Sequence, residues 1–436
     1  MKRLIYALLL GTMAAVGFTL GIQDWRRPPP QLEAELSRAA VDPSQVLVAS
    51  HQQLTLQGIQ ALEALAQLSP LAESVSLPFD YVGRHILVST QIHDLGTTRT
   101  LIFDSGLRST VLDQDVVPQQ ALATPIQVDG QSVYGLLQEV SLGGANFHNV
   151  GAFAVEFSAP GHPLYCLSDS GVIGANWMRH GIWQIDYQHH RLTVAESVAD
   201  LDDVSNAMVI PFDLVDFTPV IDLQVGSHQT VKVLVDTGWD GSIHLTAEDF
   251  RALSLGPLQE ASTIEGLVET LGGLEIFNQK LLRIPALSIG SLRLENFPVL
   301  VSYGEHAQPY SRVGNEFLEN FIVTLDWVNQ RLYLKPIAPV SELYPNPPAY
   351  GFQSIVYDHR LLITGVYHPS PAAQAGLQIG DRILAIDRDR YTHFSNEHGC
   401  SFVYSPLGDR YTGPITMTVE RQGSPLTYTL SPTPAE

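Results

Sequence analysis

Two aspartates in this sequence stand in matching surroundings. Asp104-Ser105-Gly106 and Asp236-Thr237-Gly238 each follow an apolar run, Leu101 to Phe103 and Leu234 to Val235. A single triplet of this kind is typical of an ordinary turn after a strand, because these residue types favour turns. Two carboxylates held face to face cannot both ionise easily, so such a pair holds one proton. One member can then take a proton from water while the other donates one, which is general acid–base hydrolysis.

The chain repeats itself around these triplets. Pro78-Phe79-Asp80 and Pro211-Phe212-Asp213 precede them at similar intervals. After Gly174 and Gly314 the two copies continue with identical spacing through an aromatic residue, an aspartate and an arginine: Trp177, Asp186 and Arg191 in the first, Phe317, Asp326 and Arg331 in the second. Two triplets in register within a duplication favour one shared site over two unrelated turns.

The residues after each aspartate suit a closed pair of carboxyl groups. The hydroxyl that follows directly can brace the opposite loop, and the glycine after it lets the backbone pass close to the carboxylates. A second hydroxyl six positions after each aspartate, Thr110 or Ser242, can hydrogen-bond to the same loop. We therefore predict two catalytic residues, Asp104 and Asp236. Their predicted supports are Ser105, Gly106, Thr110, Thr237, Gly238 and Ser242.

The composition predicts that strands and turns position these residues. Hydrophobic residues make up 45% of the 436 residues and charged residues only 16%, with 34 glycines and 28 prolines. That balance is typical of a globular protein with many short strands. The net charge is −21, and the sequence has no internal cluster of lysine or arginine that could follow a phosphate backbone. We therefore predict no nucleic-acid partner.

The first 24 residues predict export. Met1-Lys2-Arg3 precedes an uncharged, mainly apolar run from Leu4 to Ile22. The run is long for a cleaved signal peptide, which favours a membrane anchor, while a buried helix of a soluble domain is the alternative. We expect the chain to face the periplasm or the extracellular side, anchored in the membrane, or to be secreted if the signal is cleaved. Residues 25–76 predict a helical stalk or linker, whose amphipathic helices could also pack on the next domain.

No metal or organic cofactor is predicted. Cys166 and Cys400 lie far apart, without the spacing of metal ligands. His189-His190 could suit a metal, but the second copy has Asn329-Gln330 at the corresponding place, which indicates a turn.

Residues 77–336 resemble retropepsin-type aspartic peptidase lobes, the bacterial relatives of retroviral proteases. The resemblance is carried by the two triplets, by Thr110-Val111 and Ser242-Ile243, and by two later elements that end in glycine. Those elements are Val172-Ile173-Gly174 and a weaker version, Arg312-Val313-Gly314.

This resemblance implies a mostly-β, bilobal fold, a retropepsin-like or pepsin-like pair of acid-protease β-barrels. The first lobe spans residues 77–200 and the second residues 205–338, with one catalytic aspartate in each. Because both copies lie in one chain, a monomer is expected. Pairing of each lobe with its equivalent in a second chain is the other arrangement that the sequence leaves open.

The resemblance also implies a flap hairpin that closes over the substrate. Gln127 to Gln131 fits the tip of such a hairpin in the first lobe, and Thr263 to Gly273 is its counterpart in the second. Tyr134, just after the first tip, is therefore a candidate substrate contact. An ordinary surface hairpin fits the same residues.

The sequence departs from this family beside each triplet. Three positions after the aspartate the family has a small residue, whereas this chain has Leu107 and Trp239, and Arg108 follows the first. Large side chains there could narrow the cleft, and Arg108 could perturb the carboxylate pair.

Residues 346–432 resemble a PDZ domain of the kind attached to exported bacterial proteases. The resemblance is carried by Ser370 to Leu377, with sequence SPAAQAGL, and by Gly380 to Asp387, with sequence GDRILAID. It implies that an extended peptide adds as a strand to a sheet edge, near the loop with Gly351 and Phe352. Ser395 to Leu407 is unlike a regular groove helix, so an occluded groove is equally compatible.

Together these features predict an aspartic endopeptidase that hydrolyses a polypeptide substrate with water activated between Asp104 and Asp236. The PDZ-like part would select, hold or gate the substrate. The alternative is a non-catalytic peptide-binding scaffold, a pseudo-protease that acts through the PDZ-like surface.

Overall fold

The computed structural model describes the chain from the end of the predicted stalk onward. The described residues are 59, 62–114, 123–128, 131–155, 167–168, 170–202, 204–227, 229–253, 255, 260–270, 273–303, 310–337, 349–357, 360–392 and 411–433. The predicted signal or anchor (1–24) and most of the predicted stalk lie outside them. Within these ranges, no helix is long and apolar enough to cross a membrane.

The first copy of the repeat consists mainly of short strands. They are β1 (Gln67–Leu68), β2 (Val75–Val82), β3 (His85–Ile92), β4 (Thr97–Phe103), β5 (Thr110–Asp113), β6 (Ala123–Val128), β7 (Gln131–Leu142), β8 (Ala145–Val155), β9 (Gly171–Ile173), helix α1 (Ala175–Met178), β10 (Ile182–Asp186) and β11 (Arg191–Ala195). Gly143 and Gly144, both at positive φ, make the two-residue turn between β7 and β8.

Six of these strands close into the first barrel. The hydrogen-bonded order is β3-β4-β9-β5-β8-β7, and β7 pairs back with β3. In β4 the last three residues are all buried, so the apolar run before Asp104 is a core segment. The predicted stalk ends earlier than expected, because Gln67 and Leu68 pair with the edge of β8 and Val75 already belongs to β2.

The second copy follows the same order. Its elements are β12 (Met208–Pro211), β13 (Asp213–Val215), β14 (Thr218–Val225), β15 (Gln229–Val235), β16 (Ile243–Thr246), α2 (Ala247–Ala252), β17 (Glu260–Thr270), β18 (Gly273–Ile289), β19 (Leu292–Tyr303), β20 (Arg312–Val313), α3 (Asn315–Leu318), β21 (Phe321–Asp326) and β22 (Arg331–Pro336). Its six-stranded barrel runs β14-β15-β20-β16-β19-β18 and closes on β14. The predicted mostly-β architecture with two barrels is confirmed.

A six-stranded sheet joins the two lobes, in the order β12-β22-β21-β10-β11-β2. At its centre β10 pairs antiparallel with β21, and Gln184 lies opposite Thr324. These two residues are equivalent in the repeat, since each lies two residues before its copy's aspartate, Asp186 or Asp326. Their side chains are in contact, with Gln184 Nε2 donating to Thr324 Oγ1 at 3.2 Å. A pseudo-two-fold axis therefore passes between them, and one apolar core runs through both barrels.

The C-terminal unit has a separate core. Its elements are β23 (Phe352–Tyr357), β24 (Arg360–His368), α4 (Pro371–Ala375), β25 (Arg382–Ile386), β26 (Asp389–Arg390), β27 (Ile415–Arg421) and β28 (Ser424–Leu430). Helix α4 begins at an N-cap, where Ser370 Oγ accepts from Ala373 N at 3.1 Å, and ends at Gly376 in the left-handed region.

The second lobe and the C-terminal unit share a sheet. Strand β17, the first strand of the predicted second flap, pairs antiparallel with β24 over Thr263 to Gly266 and Gly365 to His368. Since β24 also pairs with β23, one hydrogen-bonded path runs from the C-terminal unit into this hairpin.

Candidate active site

Both aspartates are placed by the same backbone construction. Asp104 follows β4 directly, and its N–H donates to Ile173 O of β9 at 3.0 Å. Asp236 follows β15, and its N–H donates to Val313 O of β20 at 2.9 Å. In each lobe the short partner strand lies parallel to the strand that carries the aspartate. The two loops are therefore anchored in the same way, as the repeat in the sequence predicts.

The two loops bring the two carboxyl groups together. A Cβ added to Gly106 would lie 2.5 Å from Cγ of Asp236, and one added to Gly238 would overlap the carboxyl group of Asp104. Each glycine thus lies against the aspartate of the opposite lobe. Any other residue type would place a Cβ where that carboxyl group lies. The carboxyl groups are close enough for a hydrogen bond between Asp104 and Asp236.

Backbone amides orient both carboxyl groups. Asp104 Oδ1 accepts from Gly106 N at 2.8 Å and from Leu107 N at 3.0 Å. Asp236 Oδ1 accepts from Gly238 N at 3.1 Å. These bonds fix each carboxyl group within its own loop, so that the two meet in a defined orientation.

Burial raises the pKa of Asp104 well above its usual value, and the negative charge of Asp236 raises it further. The amides of Gly106 and Leu107 act in the opposite direction but are weaker. Asp104 therefore keeps its proton at pH values where an exposed aspartate has lost it. The pair has the electrostatics of two carboxyl groups that share one proton.

The hydroxyl residues of the triplets connect the lobes. Ser105 N donates to Thr237 Oγ1 at 2.9 Å, and Thr237 N donates to Ser105 Oγ at 3.1 Å. In addition, Ser105 Oγ donates to Val235 O at 2.6 Å and Thr237 Oγ1 to Phe103 O at 2.9 Å. All four bonds cross from one lobe to the other, so each loop holds its counterpart in place.

Two segments of the chain match models of known protein families. Residues 221–317, which hold the second triplet, match the family model of an aspartyl protease. Residues 362–393 match that of a PDZ domain. The second lobe is thus similar to an aspartyl protease and the C-terminal unit to a PDZ domain, and after these similarities we call the two lobes together the protease domain and the C-terminal unit the PDZ domain. No curated protein sequence matches it.

The protease domain holds a cation that the sequence did not single out as part of the site. Arg312 Nη1 lies 3.0 Å from Asp236 Oδ2, and the guanidinium lies over the Trp239 ring with its carbon 5.1 Å from the centroid. The sequence expectation concerned Arg108 instead. The repeat could have revealed Arg312 in the sequence, because this arginine stands where the first copy has the apolar residue Val172.

Arg108 points away from the carboxyl pair. Its Nη2 lies 2.8 Å from Glu63 Oε2, and Ser109 Oγ donates to Glu63 Oε1 at 2.7 Å. The Arg108 side chain and Glu63 are both almost fully buried, and the Arg108 guanidinium also lies 5.4 Å from the Phe217 ring of the second lobe. The residue therefore joins the N-terminal segment to both lobes of the protease domain.

The two downstream hydroxyls differ. Thr110 Oγ1 accepts from Gly174 N at 3.1 Å and donates to Asn176 Oδ1 at 3.0 Å, so its hydroxyl is bonded to the segment that follows β9. The hydroxyl of Ser242 has no hydrogen-bond partner within the described part of the chain. In the first copy Asn176 supplies the partner of Thr110, whereas the second copy has Glu316 at that position, and the Glu316 carboxylate pairs with Arg84 Nη1 at 3.1 Å.

Tyr134 does not face a substrate cleft. Its side chain is fully buried against the Phe153 ring, with centroids 4.7 Å apart, and Ile59 packs on the same cluster. Gly151 leaves the space that the Tyr134 hydroxyl occupies. The sequence-based expectation of a substrate contact is thus replaced by a core role. The hairpins β6–β7 and β17–β18 do form at the two predicted flap positions.

In the PDZ domain, Gly351 and Phe352 lie at the start of β23. Gly351 has φ +75° and its carbonyl accepts from Tyr367 N at 3.0 Å, while Phe352 is buried in the PDZ core. The predicted groove segment, Ser395 to Leu407, lies outside the described residues. Within the described ranges no group of three or more His, Cys, Asp or Glu side chains could hold a metal ion.

Proposed function

We propose that this protein is an aspartic endopeptidase in which Asp104 and Asp236 activate one water molecule between them. The observation that supports the proposal most directly is the crossed packing of the triplets. The glycine of each lobe lies against the aspartate of the other, so both carboxyl groups face one point. The raised pKa of Asp104 supplies a proton donor beside a charged acceptor.

The reaction then proceeds without a covalent intermediate. The ionised carboxylate accepts a proton from water as the water oxygen bonds to the peptide carbonyl carbon, and the protonated carboxyl donates its proton to the carbonyl oxygen. When the resulting diol collapses, the carbon–nitrogen bond breaks. The nitrogen takes the proton that came from water, and a diol hydroxyl returns a proton to the donor. The pair again holds one proton, and the products are an acid and an amine.

A single chain supplies both halves of this site, so we propose that the monomer is active. Ser105 and Thr237 support this, because their four hydrogen bonds join lobes of the same chain. Activity that elutes only with a dimer in size-exclusion chromatography would contradict a monomeric enzyme.

The PDZ domain is proposed to hold an extended stretch of the substrate by strand addition beside β23. The pairing of β24 with β17 supports a role next to the protease domain, since it joins that sheet to the hairpin at the second flap position. Gly351 and Phe352 are the proposed contacts of the bound peptide.

The enzymatic proposal is tested with the purified protein and fluorescently labelled, denatured casein, from about pH 3 to about pH 8. We expect cleavage that Asp104→Asn and Asp236→Asn each abolish. Asp222→Asn is the matched control, because Asp222 is exposed on the same lobe and pairs with Lys232 at 2.7 Å. Peptide binding without cleavage at every pH would instead favour the scaffold.

The N-terminal segment is proposed to direct export and to anchor the protein. The apolar run from Leu4 to Ile22 after two basic residues supports this. A reporter enzyme that is active only outside the cytoplasm, fused after residue 76, should be active, and deletion of residues 4–22 should abolish its activity. Retained activity after the deletion would rule out the export role.

A further inference from the structure

The ion pair between Arg312 and Asp236 is built into the second lobe. Arg312 begins β20, which pairs in parallel with the end of β15, so Arg312 lies beside Leu234, two residues before Asp236. The side chains are largely buried, with exposures of 16% for Arg312 and 8% for Asp236. Trp239 covers the guanidinium from the ring face. The positive charge is therefore held in place from two directions.

Among the described residues of the first lobe, no cation corresponds to Arg312. Val172 takes the place of Arg312 and pairs with Ile102, and Leu107 stands where the second lobe has Trp239. Asp104 forms no ion pair with another described residue, and its Oδ1 accepts from the backbone amides of Gly106 and Leu107. The pseudo-two-fold symmetry of the backbone is thus broken at the carboxyl groups by one charge.

A fixed cation decides where the shared proton resides. Arginine stays charged at every relevant pH, and a positive charge in contact with a carboxyl group favours its ionised form. In a symmetric pair the proton would occupy either aspartate equally. Because Arg312 pairs with Asp236, the shared proton resides on Asp104, whose burial also favours the neutral carboxyl group.

We propose that Arg312 is a positioning residue that fixes the direction of proton transfer in the dyad. Asp236 is the base that takes the proton from water, and Asp104 is the acid that donates to the carbonyl oxygen. The assignment rests on the proposed function for its catalytic meaning, but the location of the proton can be measured without turnover.

The other titratable groups near Arg312 leave this assignment intact. His244 pairs with Arg312 in register on β16, and burial, then Arg312, lower its pKa to about 3. The imidazole is neutral over most of the acid range and bonds to Ser302 Oγ at 2.6 Å. Burial and Asp216 raise the pKa of Tyr310 to about 12. Neither group changes charge between about pH 4 and about pH 9.

The first experiment compares pH profiles of casein cleavage. Arg312→Val introduces the residue of the first lobe, Arg312→Gln removes the charge but keeps hydrogen bonding, and Arg312→Lys keeps the charge. Without the positive charge of Arg312, the two aspartates take up a second proton at higher pH. The pH at which casein cleavage falls off on the acid side should therefore rise by about one to two units in the Val and Gln variants. In the Lys variant and in the exposed control Arg293→Ala it should stay in place. The proposal is overturned if the Val and Gln variants cleave casein more slowly at every pH without a shift of the acid side of the profile. It is also overturned if Arg312→Val cleaves casein faster than the wild type.

The second experiment reads the carboxyl groups directly and needs no substrate. Protein with ¹³C-labelled aspartate carboxyls is titrated by NMR, with Asp104→Asn and Asp236→Asn to assign the signals. We expect the pair to protonate at higher pH in Arg312→Gln than in the wild type, with Asp104 holding the first proton in the wild type. Equal titration curves overturn the proposal. If the curves differ but no casein is cleaved, the role of Arg312 stands and the proposed peptidase function fails.

Discussion

Ser105 and Thr237 each donate their backbone N–H to the hydroxyl of the other, across the boundary between the lobes. Both side chains are fully buried, so no water can replace a lost partner easily. The two loops that carry Asp104 and Asp236 consequently depend on each other for position. A change in one triplet should be felt by both aspartates.

Removing either hydroxyl should weaken both folding and catalysis. We expect Ser105→Ala and Thr237→Val each to lower the free energy of unfolding by about 1–3 kcal/mol, because each leaves buried donors and acceptors without partners. Denaturant unfolding measures the first effect and casein cleavage the second. Thr98→Ala, at an exposed position of β4, is the control and should change neither. Wild-type stability in both variants would mean that the cross-lobe bonds do not hold the loops.

Adding a methyl group to either triplet glycine should separate the carboxyl groups. In Gly106→Ala the new Cβ would lie 2.5 Å from Cγ of Asp236, so one of the loops must move. We expect casein cleavage to fall by about 100-fold or more, since a displacement of about 1 Å costs that much. Gly413→Ala is the matched control, because no atom of the described residues lies within 4 Å of its added Cβ. An active Gly106→Ala enzyme would contradict the proposed closeness of the pair.

The stability of the protein should depend on pH through Glu316. Burial raises the pKa of Glu316 to about 7, although the Arg84 guanidinium, 3.1 Å away, opposes the shift. A folded-state pKa above the unfolded value contributes stability at low pH that is lost as the pH rises from about 4.5 through about 7. Glu316→Gln should remove this loss, so that its stability relative to the wild type improves by up to about 3 kcal/mol from pH 4.5 to pH 8.

Thermal or denaturant unfolding across that pH range measures the difference. Glu295→Gln, at an exposed position of the same lobe, should run parallel to the wild type throughout. If the Glu316→Gln curve is also parallel, the carboxyl group titrates alike in the folded and unfolded chain.

Destabilising the PDZ domain should loosen strand β17 of the protease domain. Ile383 is fully buried in the PDZ core, and Ile383→Ala should cost about 2–5 kcal/mol there. Because β24 pairs with β17, we expect faster deuterium exchange at Thr263 to Gly266 as well as within the PDZ domain. Strand β14, which has no PDZ neighbour in its sheet, should exchange as before. Faster exchange confined to the PDZ domain would show that the strand pairing carries no stability.

The sequence was sufficient for the parts of the site that depend on local pattern. Each triplet follows an apolar run that is buried in the barrel, and the repeat makes the two loops equivalent. The crossed contacts of Gly106 and Gly238 follow from that equivalence, because a two-fold arrangement brings like to like. The cross-lobe bonds of Ser105 and Thr237 were predictable for the same reason.

The parts that the sequence did not reveal depend on distant segments. Arg312 reaches Asp236 only because β20 lies in parallel beside β15, although the two residues are 76 positions apart in the sequence. Tyr134 is buried because the segment at Ile59 packs on the same cluster, and that segment was predicted to be a stalk. Ser242 lacks the side-chain partner that Thr110 has, because Glu316 stands at the position of Asn176 and pairs with Arg84. Each outcome was decided by tertiary packing.

The fusion of both lobes in one polypeptide has a consequence for how such a site can diverge. In an assembly of two identical subunits, every codon change appears on both sides of the symmetry axis, so a new arginine would arrive twice. Here the second copy carries Arg312 while the first retains Val172. Each half of the proposed site is thus free to specialise on its own, and a designer can change the surroundings of one aspartate without altering those of the other.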